Sequence, residues 1–405
     1  MNEYTKPTFF YGYIIVAAAF IILLLMWGTL RTFGVFLNPM STELGWTRAM
    51  VSGSPAICSL VIGLFAIIAG RLNDRFGPRL VVSISGLVMG VGYLLMSRMN
   101  TIWQFYLFYG VLIGLGLGGP NIALSSTVVR WFVKKRGTMS GIVQAGSGVG
   151  MLIMPLVANQ LILVHGWRTS YMLLALIVFV FIVSASLFLK LDPSRMGLQP
   201  DGGIKKKGDL NLKPEGSSFQ EAIYAKQFWL VSMAYFLFLF CVTAIMVHLY
   251  PHAEDLDIPR SIAAKILAMI GGISIIGRFF IGSIGDKVGH RLAVIINLSV
   301  LALSFLWLLI AKEIWMLYVF AGLFGIAQGG LYTVIAPLVA DLFGVRSHGT
   351  IFGAVNLSGS LGGAFGPFMA GYIFDKTDSY QPAFFIFIIA CIAALFSTMS
   401  IKSRQ

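Results

Sequence analysis

Two arginines lie inside long apolar stretches of the sequence, where a fixed positive charge could bind an anion. Arg278 stands within residues 260–285 and Arg31 within residues 11–38. A guanidinium keeps its proton and is costly to hold in hydrocarbon, so its presence there points to a function. Its planar fork matches a carboxylate through two parallel hydrogen bonds. Arg278 therefore predicts carboxylate binding, with pairing to backbone carbonyls or helix ends as the structural alternative.

Arg31 permits two interpretations. It falls towards the far end of the first apolar stretch. If the N-terminus is cytoplasmic, this end lies near the outer surface. A long basic side chain at such a place can extend to the membrane interface. Alternatively, Arg31 assists substrate binding as an outer relay or gate that draws anions inward.

Two uncharged polar residues are further candidates for the substrate site. Asn121 follows the run 118–120, Gly-Gly-Pro, where an interrupted helix could expose backbone groups to a ligand. Tyr332 could supply a phenol donor to a cavity. Both side chains could instead pack inside the protein, and the sequence leaves that alternative open.

Proton-carrying groups are expected near the end of the seventh apolar stretch. His248 is followed by Glu254, Asp255 and Asp257. Histidine titrates closest to neutral pH, so His248, Asp255 and Asp257 are the candidates for proton coupling. The alternative is an ordinary solvated acidic loop.

The elements that must position these residues are unusually apolar. The chain has 405 residues, of which 58% are apolar and 11% charged, whereas soluble domains carry about 25% charged residues. Apolar stretches of roughly 20 residues match the hydrocarbon core of a bilayer. Twelve such stretches predict an all-α membrane protein with twelve transmembrane helices. We predict spans at residues 11–38, 47–70, 79–97, 103–132, 137–164, 168–190, 226–251, 260–285, 291–311, 314–344, 348–374 and 380–401.

Several functional classes are disfavoured by the distribution of charges and cysteines. The net charge is +13, but the basic residues alternate between loops rather than forming one patch, so no nucleic-acid partner is expected. Cys58, Cys241 and Cys391 lie inside apolar stretches without metal-ligand spacing and are expected to be packed thiols. No catalytic constellation or nucleotide-binding loop is present. We therefore expect neither an enzyme nor a bound cofactor or metal.

The distribution of Lys and Arg predicts the orientation. With a cytoplasmic N-terminus, 20 of the 29 basic residues fall on the cytoplasmic side and seven outside, while two lie within spans. This bias obeys the positive-inside rule and places both termini in the cytoplasm. The expected location is the inner membrane of a bacterial cell, and the protein is expected to function as a monomer.

An internal repeat divides the chain at an offset of 212 residues. The pairs that share this offset are Gly70 and Gly282, Asp74 and Asp286, Gly77 and Gly289, Arg79 and Arg291, Gly137 and Gly349, Gly150 and Gly362, and Pro155 and Pro367. One constant offset predicts two six-helix bundles of the same design, at residues 1–190 and 226–405. Residues 191–225 are polar and are expected to be a cytoplasmic linker. This arrangement resembles that of major facilitator transporters, whose substrate site lies near the midplane between the halves.

The first repeated block resembles the signature G-x-x-x-D-R-x-G-x-R of that superfamily. Residues 70–79 read GRLNDRFGPR and residues 282–291 read GSIGDKVGHR. An acid near a helix end can pair with basic groups and with the N-terminus of a neighbouring helix. Asp74 with Arg75 and Asp286 with Lys287 are therefore expected to act in gating, by latching the cytoplasmic side.

The substrate site is expected where the two halves differ. Arg278 aligns with Ala66, and Arg31 aligns with Thr243. Arg278 also lies eight residues before Asp286, which is about 12 Å along a helix and places it near the membrane midplane.

The junction of the fourth and fifth spans resembles the monocarboxylate transporter family within this superfamily. Residues 131–136, WFVKKR, continue to Met139, Gly141, Ala145 and Gly146, and are similar to the family signature Y-F-x-K-R-R-x-L-A-x-G-x-A-x-A-G. Tyr11-Gly12-Tyr13 loosely resembles the G-W-G-W motif at the start of the family's first span.

The resemblance implies transport of a small monocarboxylate such as lactate or pyruvate together with a proton, by alternating access. Arg278 falls where the family has a substrate-binding Arg, and Arg31 where it has a Lys on the first span. One departure concerns the acid that the family commonly carries one turn before that Arg. The corresponding residue here is Ser274, which can hydrogen-bond near the site but cannot carry charge. Proton coupling would then be absent or assigned to another residue.

Alternatives from other classes are weaker. A dicarboxylate or oxalate–formate exchanger would carry a second cation on the eleventh span, but residues 352–368 contain no charge. A drug–proton antiporter would have a Gly- and Pro-rich signature in the fifth span that differs from this sequence. A transporter-like receptor would need a larger soluble segment than the polar stretch 191–225.

Overall fold

A computed structural model describes residues 10–46, 48–202 and 216–401. All of its long elements are α-helices. Within the described residues, ten helical segments are long and apolar enough to cross a membrane. One of these covers two predicted spans, and a further long helix, rich in Gly and Ser, supplies the eleventh span. Helices therefore occupy all twelve predicted spans within the described part of the chain.

The helices divide between two compact units, residues 1–216 with 345–353 and residues 217–344 with 354–405. The first unit contains α1 (Gly12–Arg31), α2 (Phe33–Leu44), α3 (Arg48–Phe76), α4 (Pro78–Met96), α5 (Ile102–Phe105), a π-helical segment (Tyr106–Ile113), α6 (Gly114–Gly118), α7 (Pro120–Trp131) and α8 (Arg136–Ser186). The second contains α9 (Phe219–Tyr224), α10 (Lys226–Asp255), α11 (Arg260–Val288), α12 (His290–Ile310), α13 (Ile314–Phe343), most of α14 (His348–Thr377) and α15 (Gln381–Met399).

The first predicted span is interrupted between α1 and α2. The Thr29 hydroxyl donates to the Leu25 carbonyl at 2.7 Å, and the Thr32 hydroxyl donates to the Thr29 carbonyl at 2.7 Å. Threonine side chains that bond back to the preceding turn bend helices. The expected single helix over residues 11–38 is therefore two helices that meet at Thr32.

The fifth and sixth predicted spans form one element, α8. Only Gly166 departs from helical geometry, with φ 73° and ψ 164°. A positive φ of this size suits glycine because it lacks a Cβ. The sharp turn at Gly166 takes the place of the loop expected at residues 165–167.

The predicted linker 191–225 is partly structured. It contains a 3₁₀ turn, Pro193–Met196, and α9, whose first turn is stabilised by a capping box between Ser218 and Glu221. Residues 203–215 of the linker lie outside the described part of the chain.

Contacts inside each unit reproduce the 212-residue repeat. A Cβ on Gly150 of α8 would strike the carbonyl oxygen of Leu24 in α1. The equivalent contact in the second unit joins Gly362 of α14 to the carbonyl oxygen of Phe236 in α10. Without a hydrophobic driving force in lipid, such close backbone contact stabilises helix pairs by van der Waals packing.

The close contact at Gly362 predicts a measurable loss of stability on substitution. Gly362→Ala should lower the midpoint of thermal unfolding in detergent, because the added methyl would push α14 away from α10 and overpacking costs about 1–3 kcal/mol. Gly322→Ala in α13 is the matched control, since a Cβ there meets no atom within 4 Å. Equal midpoints for the two variants would contradict the packing argument.

Candidate functional site

Arg278 lies inside α11 and is only 6% exposed. The preceding residue, Gly277, contacts the backbone of Ile326 in α13 so closely that a Cβ would meet the Ile326 Cα at 2.7 Å. The two helices are therefore held together next to Arg278. Tyr332, which is also on α13, lies near the Arg278 guanidinium.

Ser274 occupies the same face of α11 one turn earlier and is 4% exposed. Its hydroxyl donates to the Gly271 carbonyl at 2.7 Å. The hydroxyl proton is thereby engaged by the helix itself, and the oxygen keeps its lone pairs as acceptors. Ser274 lies opposite Gly329 of α13, where a Cβ would meet the Ser274 Cα at 3.0 Å.

Tyr332 is positioned by α10. Its ring packs edge to face on Phe238, with 5.6 Å between ring centroids. Phe238 is fully buried, so this contact holds the Tyr332 ring from one side. The second unit thus brings Arg278, Ser274 and Tyr332 together from two neighbouring helices, α11 and α13.

Asn121 lies in the first unit, directly after the break between α6 and α7 at Gly119. Its side-chain oxygen accepts a hydrogen bond from Gln144 of α8 at 3.2 Å. The same Gln144 amide lies 3.4 Å from the Ser125 hydroxyl. Sequence reasoning missed Gln144, although a buried glutamine beside Ala145 in the family-like segment was an available signal.

Arg31 is the last residue of α1, and it is exposed. It interacts electrostatically with Tyr109 of the π-helical segment. The Tyr109 hydroxyl donates to the Leu30 carbonyl at 3.3 Å. Arg31 therefore differs from the buried Arg278, and its exposure is compatible with extension to the interface.

His248 is held by two partners within the second unit. Its Nε2 lies 2.9 Å from the Pro367 carbonyl oxygen, and its Nδ1 lies 3.1 Å from the Tyr380 hydroxyl. A carbonyl only accepts, so Nε2 carries a proton and Nδ1 of the neutral ring accepts from Tyr380. Asp255 and Asp257 are exposed near the end of α10, and Asp255 acts electrostatically on Tyr380.

Asp74 accepts hydrogen bonds from several groups of the first unit. Arg130 donates to it at 2.9 Å, and the backbone N–H groups of Gly349 and Thr350 donate at 3.0 and 2.8 Å. These two N–H groups belong to the first turn of α14, where the helix dipole favours an anion. Arg75, the neighbour expected to share the gating role, is exposed and lies over the Phe76 ring at 5.1 Å.

Asp286 lies near a different basic residue, His290, whose Nε2 is 3.6 Å from the Asp286 Oδ1 and which is a cation only when protonated. Lys287, the predicted gating partner, is exposed. Sequence reasoning missed both Arg130 and His290 as partners of the repeated acids. His290 was visible beside Arg291 in the second copy of the motif, but Arg130 stands 56 residues from Asp74 and only folding brings them together.

A helical fold with two related units, a buried arginine and repeated acid-containing loops defines a membrane transporter. The sequence matches the profile of the Major Facilitator Superfamily over residues 16–311 and, in a second match, 273–403. These matches cover most of the chain, and the protein therefore belongs to the Major Facilitator Superfamily. It is an integral membrane transporter and not an enzyme.

The chain is similar to several known proteins. The uncharacterized MFS-type transporter YhjX of Escherichia coli is 26% identical over 83% of this chain and 82% of its own length. Monocarboxylate transporter 12 of Rattus norvegicus is 24% identical over 96% of this chain and 84% of its own. The crystal structure of the human organic anion transporter MFSD10 (TETRAN) superposes with a TM-score of 0.76 at 16% identity, covering 96% of this chain and 99% of that one.

Proposed function

We propose that this protein is a secondary active transporter of a small monocarboxylate such as lactate or pyruvate, and that it moves a proton with the anion. The observation that carries the proposal is the buried Arg278 of α11, accompanied by Ser274 and Tyr332. A guanidinium in a low-dielectric setting favours an anionic ligand strongly, and its fork suits a single carboxylate. The similarity to monocarboxylate transporter 12 supports the same substrate class.

The proposed cycle is alternating access by two six-helix bundles, residues 1–190 and 226–405, joined by the linker 191–225. Arg278 binds the carboxylate, with Ser274 as a neutral acceptor and Tyr332 as a phenol donor. Asn121 shapes the cavity, and Arg31 assists at the outer side.

In the same proposal, the acids of the two repeated loops act in gating. Asp74 holds the first turn of α14 through its backbone N–H groups, and such charge-assisted bonds can break and re-form during the cycle. Asp286 has the equivalent role in the second bundle. Arg75 and Lys287, both exposed, supply the positive potential around these acids.

The proposed proton carriers are His248, Asp255 and Asp257, because Ser274 cannot take a proton. His248 is the best connected of the three: Tyr380 bonds to its Nδ1 and interacts electrostatically with Asp255. Protonation of Nδ1 would turn this acceptor into a donor and reverse the bond with Tyr380.

We place the protein in a bacterial inner membrane as a monomer, with both termini in the cytoplasm. The support for this orientation is the excess of Lys and Arg in the alternate loops on that side. The partners in this proposal are a small organic anion, a proton and the lipid bilayer.

Transport into proteoliposomes tests the proposed function. Purified protein should take up radiolabelled L-lactate, and an inward proton gradient should increase the initial rate and drive accumulation. Empty liposomes and a collapsed gradient are the controls. Indifference to the gradient would refute symport, whereas rapid oxalate–formate exchange without lactate uptake would favour the exchanger alternative.

A further inference from the structure

A histidine lies between two carboxylates in the region where α11 and α13 end and α12 begins. His290, the first residue of α12, has its Nδ1 2.6 Å from the Asp341 Oδ2 and its Nε2 3.6 Å from the Asp286 Oδ1. The His290 side chain is 7% exposed, whereas that of Asp341 is 39% exposed. One imidazole therefore faces an acid on α11 from one nitrogen and an acid on α13 from the other.

The fold makes room for this ring and gives it access to water. A Cβ on Gly285 would lie 2.9 Å from the His290 Cδ2, so the glycine leaves the space that the imidazole fills. A cavity of about 310 Å³ adjoins the ring, and its lining includes His290, Arg291 and Asp341. Asp341, which lines this cavity, is partly exposed, so the cluster is in contact with solvent.

The repeat shows what is unusual about the arrangement. Asp286 aligns with Asp74, but the partner of Asp74 is Arg130, which keeps its charge at every physiological pH. The position that matches Arg130 in the second unit is Leu342, and the position that matches His290 is Pro78. The first unit thus neutralises its acid with a permanent cation, and the second unit uses a side chain that titrates near neutrality.

The two basic side chains that follow Asp286 and His290 in the sequence, Lys287 and Arg291, are directed elsewhere. Arg291 donates to the carbonyl oxygens of Thr398 and Met399 at the end of α15. Lys287 is exposed to solvent beside Asp286. His290 is therefore the buried group of this cluster whose charge changes in the physiological range.

We propose that Asp286, His290 and Asp341 form a proton-binding site that ties α12 to both α11 and α13 when the imidazole is charged. The charged ring presents an N–H to each carboxylate. The neutral ring keeps a single N–H, directed at Asp341, and then turns a lone pair towards Asp286. Loss of the proton therefore weakens the link to α11 and leaves the link to α13.

This site is separate from the substrate site, because Asp286 lies eight residues beyond Arg278, about 12 Å along α11. Its physiological role rests on the proposed function and orientation. A transporter that imports an acid with a proton acidifies the cytoplasm, which would charge His290, hold the gating acid Asp286 more tightly and slow further opening. The site would then act as feedback on import.

Thermal unfolding in detergent tests the site without any transport measurement. The midpoint of thermal unfolding should be several degrees higher for the wild-type protein than for His290→Gln at pH 5.5. The difference should be much smaller at pH 8.5, because the charged imidazole is the form that stabilises the protein. Asp341→Asn should reduce the difference at pH 5.5. His165→Gln, which changes an exposed histidine of α8, is the matched control and should leave the pH dependence unchanged. Parallel pH curves for wild type and His290→Gln would overturn the proposal.

A second measurement tests the feedback. Lactate exchange at equal pH on both sides should be severalfold faster at pH 8 than at pH 6 in the wild type, and His290→Arg, with a permanent charge, should flatten this ratio. If the unfolding pattern holds and the exchange ratios are equal, the feedback role is refuted while the proton site stands. If the wild type exchanges no lactate at any pH, the proposed function fails, and the unfolding curves still decide the site.

Discussion

Replacing Arg278 with alanine should reduce L-lactate uptake into proteoliposomes by about 30-fold or more, since truncating one partner of a buried charge pair costs about 2–5 kcal/mol. The guanidinium is nearly fully buried on α11 beside Tyr332. Its removal would leave the substrate carboxylate without a cation in a site that water screens poorly. Arg278→Lys should retain part of the activity, because an ammonium supplies the charge without the bidentate geometry.

The matched control for this prediction is Arg260→Ala. Arg260 opens the same helix, but its side chain is 84% exposed and pairs with Glu254 at the surface. Exposed ion pairs contribute little, so uptake by Arg260→Ala should stay near the wild-type rate. Uptake that survives Arg278→Ala, with normal expression and folding, would remove Arg278 from the substrate site.

Ser274→Asp should make lactate uptake strongly dependent on pH. A carboxylate one turn before Arg278 would pair with the guanidinium and compete with the substrate for it. At pH 7.5 we expect uptake by Ser274→Asp to be about tenfold below that of Ser274→Asn, whose side chain has a similar shape and no charge. The reason is that a nearby cation lowers the pKa of a carboxyl by about 1–3 units and so keeps the new acid ionised. Acidification should protonate the new acid and restore uptake.

The measurement is the initial rate of uptake between pH 5 and pH 8 with the same pH on both sides of the membrane. Ser274→Asn should follow the wild-type curve, which separates the effect of charge from that of size. Identical pH profiles for Ser274→Asp and Ser274→Asn would argue that position 274 does not communicate with the anion site.

Local patterns in the sequence predicted much of the fold of this protein. Apolar stretches of the length of a bilayer predicted the twelve crossings, because each transmembrane helix must satisfy its own backbone and expose apolar side chains. The offset of 212 residues predicted the duplicated design, and contacts such as Gly150 with Leu24 and Gly362 with Phe236 now show the same repeat in three dimensions. The mismatch between Arg278 and Ala66 in the repeat is visible in the sequence alone and distinguishes this arginine from the shared scaffold.

Details of the helices were less predictable. The interruption at Thr32 depends on the backbone carbonyls to which the Thr29 and Thr32 hydroxyls donate, and both residues are compatible with a continuous apolar helix. The turn at Gly166 depends on a single positive φ, which no apolar pattern encodes.

The sequence by itself determined the class of architecture, the positions of the charges along each helix and the asymmetry between the two halves. Only the tertiary structure decided which distant groups meet: Asp74 with Arg130, Asn121 with Gln144, and Asp341 with His290. The physical reason is that hydrophobicity acts on each segment separately, through its transfer into the bilayer. A hydrogen bond or ion pair requires two side chains from distant segments to lie within about 3 Å, and helix packing alone sets that distance.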